Sequence, residues 1–179
     1  MIIALVAVVM SVGMASAQNY MVVDSEKVFK SLEAYNDALE DIEELATQYQ
    51  KAVDNKFAEV ENLYNTYISK RSSLSVSAQQ QYEQLILQKE AEATEYQESL
   101  FGTDGTLMNK RLELIQPIQQ RVFNVIEIFS KQYGYDLVID ISANPTILYY
   151  STKVDFTDRI IEALKKITQV NLNRNVIKF

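Results

Sequence analysis

Between residues 32 and 133 apolar side chains recur at alternating spacings of three and four, with charged and amide residues between them. Leu32, Tyr35, Leu39, Ile42, Ala46, Tyr49 and Val53 open the pattern, and Val60, Leu63 and Tyr67 resume it in the same register. This spacing makes a heptad seam, the signature of a left-handed coiled coil. Lys56 interrupts the seam, with Phe57 beside it. No Gly or Pro occurs between Gly13 and Gly102, so the pattern predicts one helix from about Leu32 to Arg71. Some 40 residues at 1.5 Å each give a rod of about 60 Å. The serine-rich run 72–77 reads as a turn, after which Ser75 or Ser77 caps the next helix. Ser77 and Gln80 have capping-box spacing.

The returning helix carries one seam at Tyr82, Ile86, Lys89, Ala93, Tyr96 and Leu100. It carries a second at Met108, Leu112, Ile115, Val122, Ile126, Phe129 and Tyr133. The two are out of phase, and the slip falls at Gly102-Thr103-Asp104-Gly105. Two glycines cost a helix about 1 kcal/mol each relative to alanine, so a local bulge or kink is expected there. The alternative is a plain helix bend. Folding about Leu74 sets Leu32 opposite roughly Gln116. Pro117 follows, and an interior proline removes a hydrogen bond and often kinks a helix. The hairpin is therefore expected to end near Pro117, with residues 118–133 packing in a different unit.

That unit draws on both ends of the chain. Tyr20–Val23 reads as a strand, and Asp24 with Ser25 can cap a short helix carrying Val28 and Phe29. Gly134 suits the end of the long helix. Tyr135–Asp140 reads as a second strand, Ser142–Pro145 as a turn, and Thr146–Tyr150 as a third strand. Thr157 is expected to cap a closing helix carrying Ile160, Ile161, Leu164 and Ile167. Residues 168–179 lack a clear pattern and are expected to form a loose tail. The fold class is α+β, mainly α: a helical hairpin over 32–116, with its tip at 72–77, inserted into a body made of 18–31 and 117–167. So small a body buries too little surface to be robust alone, and strands joined across chains are the expected remedy.

The first 17 residues change the picture of location. Ile2–Met10 is apolar and is followed by Gly13 and Ala15-Ser16-Ala17, a hydrophobic core with an A-x-A cleavage site as in a secretory signal peptide. The run is short for a membrane span, which needs about 20 apolar residues. No Lys or Arg precedes it, so the start codon used could lie upstream; an uncleaved anchor is the alternative. A mature chain would start near Gln18. The sequence has no Cys, His or Trp. Disulfides are thus excluded, and most zinc, thiol and Ser-His chemistry with them. No Gly-rich phosphate loop is present. No catalytic residues, cofactor or metal ligands are assigned, and the chain does not read as an enzyme.

Formal charge is −7, unevenly placed: residues 32–116 hold 16 acidic and 7 basic side chains, the rest 8 and 10. Acidic helices argue against nucleic acid as a partner, and against simple docking on an anionic membrane, leaving membrane contact at most transient.

YMVVDSEKVFKSLEAY at 20–35, the long polar hairpin, IQPIQQRVFNVIEIFSKQYGYDLVID at 115–140 and VDFTDRIIEAL at 154–164 resemble, in that order, the Skp/OmpH family of periplasmic chaperones. The resemblance covers the mature chain to about Lys166, and FGTDGTL at 101–107 is similar to members from the Bacteroidetes group. It implies a homotrimer with a β-barrel-like body and three hairpins projecting as tentacles around a cavity. The implied activity is ATP-independent binding of unfolded outer-membrane β-barrel proteins in the periplasm. The best-known member has basic tentacles. These are acidic, so lipopolysaccharide binding is not carried over, and clients with basic or neutral surfaces, or mainly apolar recognition, are implied.

Candidate client-binding residues are Tyr35, Tyr49, Phe57, Tyr64, Tyr67, Tyr82 and Tyr96, whose broad rings would hold apolar segments weakly. The plainer reading of the tyrosines is that they pack the seam. Gly102, Gly105 and Pro117 are hinge candidates, the glycines allowing flexion around clients of different size or merely restoring register. Met21, Val23, Val138, Ile139, Ile147 and Tyr149 are candidates for the oligomeric body. The acidic run Glu33, Asp37, Glu40, Asp41, Glu43 and Glu44 reads as a solvated face that complements the helix dipole, not a metal cluster. Lys70 and Arg71 at the tip read as helix-end charges, with lipid or client contact as the alternative. The leading function is a trimeric periplasmic holdase. The alternative is a structural coiled-coil scaffold or adaptor of the envelope; a carboxylate-dependent hydrolase lacks a pocket-forming framework.

Overall fold

The computed structural model describes residues 19–143 and 146–176. The expected signal peptide, residues 144–145 of the expected turn and the last three residues lie outside them. The elements in order are β1 (Tyr20–Val23), α1 (Ser25–Lys30), α2 (Glu33–Lys70), α3 (Val76–Phe101), α4 (Thr106–Tyr133), β2 (Leu137–Asp140) and α5 (Thr157–Val176). Single 3-10 turns at Arg71–Ser73 and Thr152–Val154 lead into α3 and α5.

α2 follows its heptads without interruption, as the absence of Gly and Pro requires. At the tip Ser75 is the cap: its Oγ accepts from the Ala78 amide at 3.2 Å. Gln79 reinforces the turn by donating to the carbonyls of Arg71 and Leu74. The return is two helices, not one. α3 stops at Phe101 and α4 restarts at Thr106, because Gly102 and Gly105 bring the backbone too close for a side chain. A Cβ on Gly102 would lie 2.5 Å from the Glu98 oxygen, and one on Gly105 2.7 Å from the Leu100 oxygen. Replacing both glycines with alanine would therefore rebuild the junction as well as stiffen it. α4 runs unbroken through Pro117; the proline is on the solvent side, where water can satisfy the carbonyl it leaves unbonded. Gly134 ends α4 with φ +73°, the left-handed cap that glycine supplies.

β1 and β2 pair in parallel, Tyr20 beside Leu137 and Val23 beside Asp140. Parallel neighbours need a long crossover, and here the whole hairpin is that crossover. Among the described residues the far side of β1 carries a bridge from Val22 to Asp155, with the Phe156 amide donating to the Val22 oxygen at 3.0 Å. The expected third strand at Thr146–Tyr150 is not one. Among the described residues it finds no strand to pair with, and Leu148 and Tyr149 are 94% and 86% exposed. Met21, Val23 and Val28 from one end of the chain meet Val122, Val125, Phe156, Ile160 and Leu164 from the other in a single core.

Two further expectations are corrected in α5. Thr157 is its first residue and not its cap. Its hydroxyl is taken by the Asp24 amide at 2.9 Å, while the Asp155 carboxylate accepts from the Thr157 amide. The tail is helical as far as Val176, because no Gly or Pro after Thr157 stops the helix.

Asp140 joins the two chain ends. Its carboxylate accepts from the Ser25 hydroxyl at 2.6 Å and from the amides of Ser25 and Ser142. Partial burial pushes its pKa up, but the Ser25 hydroxyl and the two amides outweigh burial and leave it below the ordinary carboxylate value. A lowered folded pKa means this stabilisation is complete above an unfolded Asp pKa of about 3.9 and is lost as pH falls through the folded value. Asp140→Ala is expected to cost about 1 kcal/mol at neutral pH and to lessen the acid-side loss of stability. Urea unfolding at neutral pH and near pH 3 measures both, and an unchanged difference between the two conditions would count against the assignment.

Candidate functional site

The clefts between these elements are open ones, one lined by Leu32, Asp37, Pro117 and Arg121 and others by Phe123 and Leu137 or by Asp41 and Lys110. Among the described residues no three Asp, Glu, His or Cys side chains converge as metal ligands. The six acids from Glu33 to Glu44 are all exposed. No helix of the described residues is long and apolar enough to cross a membrane. What the fold presents is a rod and an open sheet edge.

Along the rod, α2 lies antiparallel to α3 and the start of α4. The register is set at both ends. Leu32, Ala34 and Asp37 share one cleft with Pro117 and Ile118, and near the tip Tyr67 stacks on Tyr82 at 5.8 Å. Between them Tyr49 meets Phe101 edge-on at 6.5 Å, and the Lys56 ammonium sits 5.0 Å over the Tyr96 ring. The polar interruption at Lys56 is thus absorbed by a cation–π contact. The Tyr67 hydroxyl donates to Glu83, and that carboxylate holds the phenol above its ordinary pKa.

The seven ring candidates therefore divide. Tyr67 is buried, and Tyr49, Tyr82 and Tyr96 are half-buried in the seam. Tyr35 packs on Phe29 at 5.3 Å, near the body. Phe57 and Tyr64 turn outward, 36% and 50% exposed. Exposed apolar residues outside the candidate set include Leu39, Ile68, Leu87 and Leu112. Leu87 and Ile68 could have been found as apolar residues lying off the heptad seam. At the tip Lys70 ends α2, and the Arg71 guanidinium lies 5.9 Å from the Tyr67 ring.

On the body, Met21 and Val23 are fully enclosed in the protomer core, whereas Val138, Ile139 and Ile147 are half-buried and Tyr149 is open. β2 is an edge strand. Beside it Phe123, Ile126, Tyr135, Leu137 and Val138 line a shallow groove, with Phe123 and Leu137 each more than half exposed.

Comparison with known proteins fits this geometry. A family model described as outer membrane protein (OmpH-like) matches residues 19–164. That span covers β1 through the first turns of α5. No curated protein matches the chain.

Proposed function

The chain belongs to the OmpH-like outer membrane protein family, and from that premise we propose that it is an ATP-independent periplasmic holdase for unfolded outer-membrane β-barrel proteins. The observation that carries the reading is the rod itself: a long two-helix arm with outward-facing rings, Phe57 and Tyr64. Such a surface suits many weak contacts, which sum to useful avidity without a deep site. Export would rest on the leader expected at residues 1–17.

The working form is proposed to be a homotrimer whose hairpins surround a cavity. An unpaired strand edge is a ready template for another chain, and β2 offers one next to exposed Phe123 and Leu137. Val138, Ile139, Ile147 and Tyr149 are the proposed contact residues, supported from beneath by Met21 and Val23. Residues 146–150 would become a strand on meeting a neighbouring protomer. The Gly102–Gly105 break and Pro117 are the proposed points of flexion.

Light scattering of the mature protein, alone and mixed with a urea-diluted outer-membrane barrel, tests this. The expected result is a trimer that gains one soluble client. A particle that leaves the barrel to aggregate, yet binds a folded envelope protein stoichiometrically, would establish the scaffold reading instead.

A further inference from the structure

One flank of the hairpin combines a stripe of exposed apolar side chains with several acids that form no ion pair among the described residues. At 100° per residue, Leu39, Phe57, Tyr64 and Ile68 fall within about 40° of one another around α2. They are 38%, 36%, 50% and 48% exposed. Around the same helix Glu43, Asp54 and Glu61 lie about 40–60° to the side away from the seam, while Lys51, Lys56 and Lys70 lie about 100° or more from the stripe. α3 extends the flank. The Tyr67–Glu83 hydrogen bond places Glu83 there, and Leu87, 65% exposed, and Glu90 follow one and two turns along the same face.

Among the described residues Glu43, Asp54, Glu61 and Glu90 have no cationic partner; the ion pairs of the hairpin are Lys89–Glu92 and Lys110–Glu113. Glu92 and Lys89 lie toward the opposite flank, where Lys89 feels Glu59. An exposed apolar stripe by itself would accept any unfolded chain. An acidic border attracts cations and repels acids, and such complementarity selects partners more than it adds raw affinity.

We propose that this flank binds unfolded cationic amphipathic segments, in which apolar residues are interspersed with Lys or Arg. The inference rests on the holdase reading and specifies the client chemistry that the hairpin prefers.

The test uses fluorescence anisotropy of the mature full chain with two disordered peptides of equal length and apolar content, one carrying Lys and the other Glu at the same positions. Binding is measured at about 20 mM and about 500 mM salt, where the Debye length falls from about 20 Å to about 4 Å. The Lys peptide is expected to bind at least about tenfold tighter at low salt, and the preference to collapse at high salt. Combining Glu43→Gln, Asp54→Asn and Glu61→Gln, with helicity checked by circular dichroism, is expected to remove most of that preference. Tyr64→Ser with Ile68→Ser is expected to weaken both peptides. Equal binding of the two peptides, or a preference that survives loss of the three acids, overturns the inference while the holdase reading stands on its scattering result. Binding of neither peptide overturns it as well, and the holdase reading then falls only if the urea-diluted barrel also aggregates.

Discussion

Ile160→Ala should lower the unfolding free energy by about 2–5 kcal/mol, the usual cost of truncating a fully buried aliphatic side chain. Ile160 is 0% exposed and sits on the face of α5 that closes the core. That core is small, and it packs the two chain ends together beneath the β1–β2 pair. Met21, Val23 and Val28 come from one side of the hairpin, and Val122, Val125, Phe156 and Leu164 from the other. A void at Ile160 therefore weakens contacts of β1, α1 and α4 together, with few neighbouring atoms free to collapse into it. Urea unfolding followed by circular dichroism measures the change. Glu162→Ala, on the exposed face of the same helix, serves as control and should shift the midpoint little. Similar costs at the two positions would mean that α5 does not close this core.

Gly105→Ala should cost about 1–3 kcal/mol, through overpacking. Its φ of −70° suits any residue, so the cost is not torsional. The added methyl would meet the Leu100 oxygen at 2.7 Å and the Gly102 nitrogen at 2.8 Å. Both are backbone atoms, and neither can swing aside. The junction that they form holds α4 to α3 through bonds from the Gly105 amide to the Gly102 oxygen, and from the Thr106 and Asn109 side chains to the Ser99 and Asp104 oxygens. Gly134 makes an instructive comparison. There the backbone requires φ +73° but the space is empty, so Gly134→Asn should be tolerated where Gly105→Asn is not. Denaturation midpoints of the variants give the comparison, and a Gly105→Ala midpoint equal to wild type would refute the close packing.

Local signals carried much of the fold. The 3-4 spacing and the lack of breakers marked α2. Asp24 and Gly134 announced their caps, the tip cap was narrowed to Ser75 or Ser77, of which the structure uses Ser75, and Tyr20–Val23 announced its strand. Simple counting from the tip placed Leu32 opposite the Pro117 region. Each of these depends on residues within a turn or two of one another, or on a rigid helical rise, so the chain itself encodes them.

What only the tertiary structure decided was the division of like residues among unlike partners. Tyr67 and Tyr64 are the same residue three positions apart, yet one stacks in the seam and hydrogen-bonds Glu83 while the other faces water. The heptad spacing already set Tyr67 in the seam and Tyr64 off it, but which residues of α3 the inward ring meets depends on the rotation of α3 against α2, and periodicity alone leaves that angle loose. Thr157 has the composition of a cap, but the Asp24 amide, far away in sequence, claims its hydroxyl. Thr146–Tyr150 has strand composition, but a strand requires a partner edge, and the protomer has used β1 for β2 and Asp155. The glycines at 102 and 105 were visible as a loss of phase, whereas the backbone contact that demands them appears only when the two helix ends meet. Elements and their faces are properties of local periodicity and capping; the seam, the open edge and the acid-bordered flank arise from contacts between residues that the sequence holds far apart.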